Sequence, residues 1–250
     1  MSAILNKPFN HLGPGPQSGS LKERIDAIER HQRLRIHQYS DPGRWSKLPY
    51  FQEATLELDF GVWSVSETID VSTDSVKIFG SGGHSVLEAS ASDPGTVMNI
   101  SADAVILSGI KFRNTSALSG SLLNITGQFV YISNCVFEGF GRMNCINANL
   151  ADNLTIKDCF FLSGDLNAVY ILDSDNSVVN DNRMMFPPTF VGPVTDNAVF
   201  LASTNTAVAA QRCNDAIVAN NHIGTEVIRY NTTGAHQITG NNAASTATAY

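Results

Sequence analysis

VYISNCVF (130–137) and LTIKDCFF (154–161) are two copies of one unit, and their repetition decides the fold. Working outward, VILSGIKF (105–112) and VKIFGSGG (76–83) precede them, and SVVNDNRM (177–184), AIVANNHI (216–223) and QITGNNAA (237–244) follow. The starts differ by 29, 25, 24, 23, 39 and 21 residues. Most of these spacings match one coil of a solenoid, and the long ones contain visible insertions. Ser92-Asp93-Pro94-Gly95 is one; FPPTFVGPV, around Pro187, Pro188 and Pro193, is another, followed by TAVAAQ. Between the units lies a second alternating stretch: VMNIS (97–101), LLNIT (122–126), CINAN (145–149), VYILD (169–173), VFLAS (199–203) and VIRYN (in the region 226–231). Alternation with period two, and no helical period, predicts an all-β parallel β-helix of about seven coils.

The aligned columns have physical meaning. The third position holds Ile78, Leu107, Ile132, Ile156, Val179, Val218 and Thr239, an inward aliphatic stack except at its end. The eighth holds Gly83, Phe112, Phe137, Phe161, Met184, Ile223 and Ala244. In-register parallel strands stack such side chains about 4.8 Å apart, so like meets like. The fifth holds Gly80, Gly109, Asn134, Asp158, Asp181, Asn220 and Asn241. Gly, Asn and Asp tolerate a left-handed backbone, so this column predicts a repeated tight turn. Asn221 and Asn242 beside it are placed for an amide ladder. Cys135 and Cys159 share a column in adjacent coils and read as stacked, reduced, buried thiols.

Residues 1–53 read differently. The first 19 are rich in Pro, Gly and Ser and predict an extended arm. Ser20-Leu21-Lys22-Glu23 matches a capping box. Leu21, Ile25 and Ile28 then form one apolar stripe of a short α-helix running to about His37. One heptad cannot hold a coiled coil alone, but it can serve as a trimer stem if a larger body joins the chains. Ile4, Leu5, Phe9 and Leu12 punctuate the arm with apolar side chains that a partner can bury. The domain reading is therefore 1–53 for arm, helix and linker, and 54–250 for the β-helix body.

The units VYISNCVF, LTIKDCFF and AIVANNHI resemble the coils of right-handed parallel β-helix proteins, the pectate-lyase-like superfamily that includes phage tailspikes. TLELDFGVWSVSETIDVSTDSVKIFGSGG (55–83) also looks like the opening coils there. The resemblance covers about residues 54–244 and implies a right-handed, single-stranded solenoid. It implies little about chemistry, because that fold carries lyases, hydrolases, epimerases and inert stalks.

Chemistry must come from sites. Two residues before each unit stand Asp74, Asp103, Gln128, Asp152, Asp175 and Asn214. Asp152 and Asp175 should stack on adjacent coils, as should Asp158 and Asp181 in the turn column. Such pairs can do acid–base work in glycosidases or bind a divalent ion; short acidic side chains also cap turns. The clusters of polygalacturonase-like and epimerase-like sites are missing: there is no Asp-Asp, and Gly83-His84 lacks a following Gly. Arg142, Arg183, Arg212 and Arg229 share no column with an acid cluster. If the protein is an enzyme, Asp152, Asp175, Asp158 and Asp181 are its candidates. No cofactor and no metal are expected.

Composition narrows the partners. The chain has 250 residues, a net charge of −7 and four cysteines. That disfavours a nucleic-acid binder and a disulfide scaffold. No apolar stretch reaches about 18 residues, so no membrane insertion is expected. Residues 1–53 carry eight basic and five acidic side chains, and 54–250 carry eight and 18. A basic arm, a one-heptad stem and a short β-helix, in that order, look like phage spikes. The expected function is a structural protein of a virus particle: a homotrimer at the virion surface, joined to other virion proteins through the arm. It would act as capsid decoration or as a short tail spike. A host-surface glycan stays open as a further partner. The alternative is a polysaccharide lyase or hydrolase on the same fold.

Overall fold

A computed structural model describes residues 33–36, 55–65, 67–89, 96–115, 120–139, 143–163, 167–185, 197–204, 213–223, 227–230, 236–241 and 248–249. The chain divides into two units, Met1–Gln32 and Arg33–Tyr250. The first, with the docking residues Ile4, Leu5, Phe9 and Leu12 and the stem residues Leu21, Ile25 and Ile28, lies outside the described residues.

The second unit is a parallel β-solenoid. Among the described residues its strands form sheets of nine, seven and eight members, and every recorded pairing is parallel. Each coil passes from a three-residue strand of the nine-stranded sheet (for example Tyr131–Ser133) to the seven-stranded sheet (Val136–Glu138). It then reaches the eight-stranded sheet (Met143–Asn149) before returning. In the middle coils the register matches the sequence columns. Ile78, Leu107, Ile132, Ile156, Val179 and Val218 pair in series and are fully buried. Phe112, Phe137 and Phe161 stack inside, with ring centroids 5.4 and 4.8 Å apart and planes within 13°. Offset stacks of this kind add about 0.5–1.5 kcal/mol per pair beyond burial.

Two corners of each coil use left-handed residues. Gly109, Asn134, Asp158, Asp181 and Asn220 have φ between 52° and 68° after the nine-stranded sheet. Ser75, Ala104, Phe129, Asn153, Asn176 and Asp215 have φ between 50° and 63° before it. At Gly109 a side chain is excluded twice over, since a Cβ would lie 2.6 Å from the carbonyl oxygen of Gly80.

Four sequence expectations need correction. Arg33–Ile36 is a strand, not the end of a helix: it pairs in register with Thr55–Leu58 at the edge of the nine-stranded sheet. RLRI alternates with period two, as TLEL does, and the first strand of the body needs a partner for its backbone. In the eighth column Leu87, not Gly83, precedes Phe112, because Ser81–His84 is a four-residue insertion containing a 3₁₀ turn at Gly82–His84. The last unit slips by one residue: Ile238 pairs with Val218, and Gly240 takes the left-handed position at φ 64°. Ile238 rather than Thr239 therefore continues the aliphatic stack. The amide ladder runs through Asn182, Asn221 and Asn241; Asn242 lies outside the described residues.

That ladder replaces the thiols of the earlier coils. Cys135, Cys159, Asn182, Asn221 and Asn241 follow one another just after the left-handed residue. The side-chain oxygen of each Asn accepts the backbone N–H one coil earlier: Cys159 at 2.9 Å, Asn182 at 3.0 Å, Asn221 at 2.9 Å. Each amide nitrogen donates to a carbonyl one strand back, on Ile156, Val179 and Val218. Buried polar groups are tolerated here because each is satisfied. The four cysteines are buried, and none of them forms a disulfide. Burial pushes the Cys145 and Cys213 thiols up to about 12. Burial, with Cys135 beside it, also raises Cys159 well above the ordinary thiol range.

Candidate functional site

The acidic column before each unit is built by the corner that leads into the nine-stranded sheet. Its carboxylates bind the next coil. Asp74 Oδ1 accepts the Asp103 N–H at 2.8 Å, and Asp103 Oδ1 accepts that of Gln128 at 2.7 Å. Asp152 Oδ1 accepts the Asp175 N–H at 2.8 Å, and Asp175 Oδ1 accepts that of Asn214 at 2.9 Å. Asp152 and Asp175 do stack on adjacent coils, with one oxygen of each engaged in holding the coils together. Asp158 and Asp181 are exposed and left-handed, at φ 53° and 56°. Asp158 lies 3.7 Å from the Lys157 ammonium, and Asp181 accepts from the Asn180 amide at 2.9 Å.

The two pairs do not converge. Residues 154–157 separate Asp152 and Asn153 from Asp158, about 13 Å of extended chain. Glycosidase carboxylates stand about 5–9.5 Å apart. The arginines are dispersed too. Arg183 is on the seven-stranded sheet with its guanidinium 5.5 Å from the Phe160 ring centroid, whereas Arg229 is on the eight-stranded sheet next to Phe200. Arg142 and Arg212 lie outside the described residues. Among the described residues no group of three His, Cys, Asp or Glu side chains is placed to hold a metal.

Asp152→Asn therefore keeps the acceptor at Oδ1 and is expected to change stability by less than about 0.5 kcal/mol, while Asp152→Ala leaves the Asp175 N–H without it and should cost about 1 kcal/mol. Thermal melts of the two variants side by side measure the difference; equal melting would remove the inter-coil role.

The three outer faces differ in chemistry. The seven-stranded sheet is charged: Arg113 pairs with Glu88, and Lys111 with Glu138. The eight-stranded sheet carries a column that pattern reading missed: Asp70, Asn99, Asn124, Asn147, Tyr170 and Phe200, in register on successive coils. Its amides are linked, Asn99 to Asp70 at 2.9 Å and Asn147 to Asn124 at 2.9 Å. The row then passes through a tilted aromatic pair, Tyr170 and Phe200, with centroids 5.4 Å apart, and reaches Arg229 in the next coil. Partial burial, then the charge of Asp173, raises the Tyr170 hydroxyl above its ordinary value. The signal was the repeated Asn at the centre of VMNIS, LLNIT and CINAN. Amides that donate and accept, next to an aromatic face, suit a ligand with hydroxyls and a flat apolar side. On the nine-stranded sheet one register column runs from Lys77 through Ile106, Tyr131, Thr155 and Val178 to Ile217, and Lys157 stands in the column beside it.

The path of this chain is shared with solved structures. The pectin methylesterase from Aspergillus niger superposes with a TM-score of 0.54 at 11% identity, over 93% of this chain and 84% of that one. The fold is the right-handed parallel β-helix. Pectin methylesterase PemA from Erwinia chrysanthemi matches at 12% identity and a TM-score of 0.47, over 83% of this chain and 81% of that one. The ORF18 protein of Geobacillus virus E2 matches at 10% identity and a TM-score of 0.34, over 79% and 54%. No protein-family model and no curated protein matches the sequence. At 11% identity the Aspergillus niger enzyme shares the chain path alone, and no residue role is carried across.

Proposed function

We propose that the protein is a non-catalytic structural protein of a virus particle. Three chains would associate, each a β-helix body attached through its N-terminal arm, as capsid decoration or as a short tail spike. The observation that carries the non-catalytic part is the fate of the acidic column: Asp74, Asp103, Asp152 and Asp175 each accept a backbone N–H of the following coil. These carboxylates act as rivets between coils. The particle-bound part is supported by the sequence order: a basic, Pro/Gly-rich arm, a one-heptad stripe, then the solenoid. A host-surface glycan suits the amide and aromatic column of the eight-stranded sheet.

Deleting residues 1–19 should leave the far-UV circular dichroism of the β-helix unchanged and abolish co-purification with particles. Normal incorporation of the shortened chain would sink the docking role of the arm. The competing reading, a polysaccharide lyase or hydrolase, is supported by the pectin methylesterases among the fold neighbours. It wins if the full-length protein depolymerises or de-esterifies a polysaccharide and Asp152→Asn, Asp175→Asn, Asp158→Asn or Asp181→Asn removes that activity.

A further inference from the structure

One inward column of the solenoid ends in an ionisable ring. Val76, Val105, Val130, Leu154, Ser177 and Ala216 follow one another at the entry to the nine-stranded sheet, and all six are buried. The carbonyl of each accepts an N–H from the next coil: Val76 from Ile106, Val105 from Tyr131, Val130 from Thr155, Leu154 from Val178, Ser177 from Ile217 and Ala216 from Gln237. The series places His236 next, one residue before the strand Gln237–Thr239. Both of its ring nitrogens are shielded from solvent, whereas Gln237 and Thr239 are exposed. The column narrows to Ser177 and Ala216 just below, which suits a ring lying over them. A short set of bonds seats this coil. The Gln237 N–H donates to the Ala216 carbonyl at 2.9 Å, and the Asn220 N–H to the Thr239 carbonyl at 3.0 Å. The Asn241 side chain accepts the Asn221 N–H at 2.9 Å and donates to the Val218 carbonyl at 2.8 Å.

A neutral imidazole is compatible with that position. An imidazolium is disfavoured there, because a charge at the end of an apolar core loses its water. Few other charges surround it. From Asn231 to Tyr250 the chain contains no Asp, Glu, Lys or Arg, and Tyr250 is the other titratable side chain. The corner of the coil below contributes Cys213, which is buried, and Asp215, which is exposed. The strand Ile217–Ala219 contributes none. On the seven-stranded sheet His222 is exposed, in register with Arg183. On the eight-stranded sheet Arg229 and Tyr230 take the register positions after Phe200 and Leu201, and Glu226 lies outside the described residues. Burial holds the His236 ring below its ordinary value of 6.5, and the charge of Asp215 opposes that shift.

We propose that this coil is an acid-sensitive latch: a neutral His236 keeps residues 236–241 seated on the end of the solenoid, and protonation releases them. The sign follows from linkage. A histidine whose folded value lies below the unfolded one, about 6.5, contributes stability that is complete above the unfolded value. That stability is lost as pH falls through the folded value. Release uncovers Ala216 and Val218 at the end of the core. It also leaves the strand Ile217–Ala219 with an open edge, the kind that accepts a strand from another chain. The latch is independent of the particle-bound reading, since it uses residues of the β-helix body alone.

Hydrogen exchange on the full chain tests this, read by mass spectrometry at pH 7 and pH 5 and corrected for the intrinsic effect of pH. Protection of peptides spanning 216–223 and 236–241 should fall at least ~3-fold in acid, while peptides from 130–161 keep theirs. His236→Leu, which extends the apolar column, should abolish the difference, and so should His236→Gln. Asp215→Asn keeps the ring but removes the charge that favours the imidazolium, so it should enlarge the acid loss. Equal protection of the last coil at both pH values in the wild type overturns the latch. So does an acid loss that persists in both His236 variants, or one that spreads equally to 130–161. If a replacement at position 236 unseats the coil at both pH values, Asp215→Asn decides: an acid loss no larger than that of the wild type overturns the latch.

Discussion

Phe137→Ala is expected to lower the stability of the β-helix by about 3–5 kcal/mol, the largest effect of any single truncation described for this chain. The ring is fully buried, with Phe112 on one side and Phe161 on the other. Removing it deletes transfer energy and two stacking contacts at once, and the cavity cannot collapse, because parallel strands fix the coil spacing at about 4.8 Å. A loss of this size is a large part of the ~5–15 kcal/mol that keeps a domain folded. Guanidinium denaturation followed by circular dichroism measures it. Phe137→Leu, which refills most of the space, should recover more than half of the loss. A midpoint for Phe137→Ala within experimental error of wild type would mean that the stack contributes little.

Asn221→Asp should cost about 3 kcal/mol at neutral pH and much less in acid. Asn221 is buried, and its side chain makes four hydrogen bonds. Its oxygen accepts from the Asn182 backbone and side-chain nitrogens, both at 3.0 Å. Its nitrogen donates to the Val179 carbonyl at 2.9 Å and to the Asn241 side-chain oxygen at 3.0 Å. The substitution puts a carboxylate oxygen against those two acceptors. Burial and the facing oxygens raise the folded pKa above the unfolded value of about 3.9. A raised folded pKa contributes stability that is present below the unfolded value and lost as pH rises through the folded one. The deficit therefore opens upward from about pH 4, and the protonated carboxyl can donate where the amide did. Denaturation at pH 4 and at pH 7 reads the two limits; a deficit independent of pH would show that this amide nitrogen does not donate as described.

The middle of the solenoid was legible because each side-chain type there reports one physical demand. Ile132 over Ile156 and Phe137 over Phe161 follow from period-two burial and a fixed coil length. Asn134, Asp158 and Asn220 announce a left-handed turn that few other residues accept. The ends were harder. QITGNNAA fits the repeat in two registers, and the choice between Ile238 and Thr239 depends on the partner Val218, which alternation alone does not name. RLRI matched a helix only because the stripe before it was extended into it, although its own alternation is that of a strand. The Asp152–Asp175 stack was predicted from spacing. That an oxygen of each accepts the next coil's N–H was not, because a short acid at a corner is compatible with solvent, metal or backbone. The outer column from Asp70 to Phe200 stayed hidden for a related reason: its polar members were read as the outward half of single strands, and their row exists only across coils.

The handover from Phe and Cys to Asn inside the solenoid gives the molecule two kinds of cohesion along its axis. From Phe112 to Phe161 the coils adhere through apolar stacking, which weakens on cooling; from Asn182 to Asn241 they are linked through directional amide bridges, which do not depend on hydrophobic hydration in the same way. Solenoid coils contact only their neighbours, so such a chain opens link by link from its less secure end. Heat and cold then select different ends for the first opening. Amide exchange along the axis would have a gradient whose steepness, and even whose direction, changes with temperature. A rod that looks uniform in its backbone is, in its thermal response, closer to a bimetallic strip.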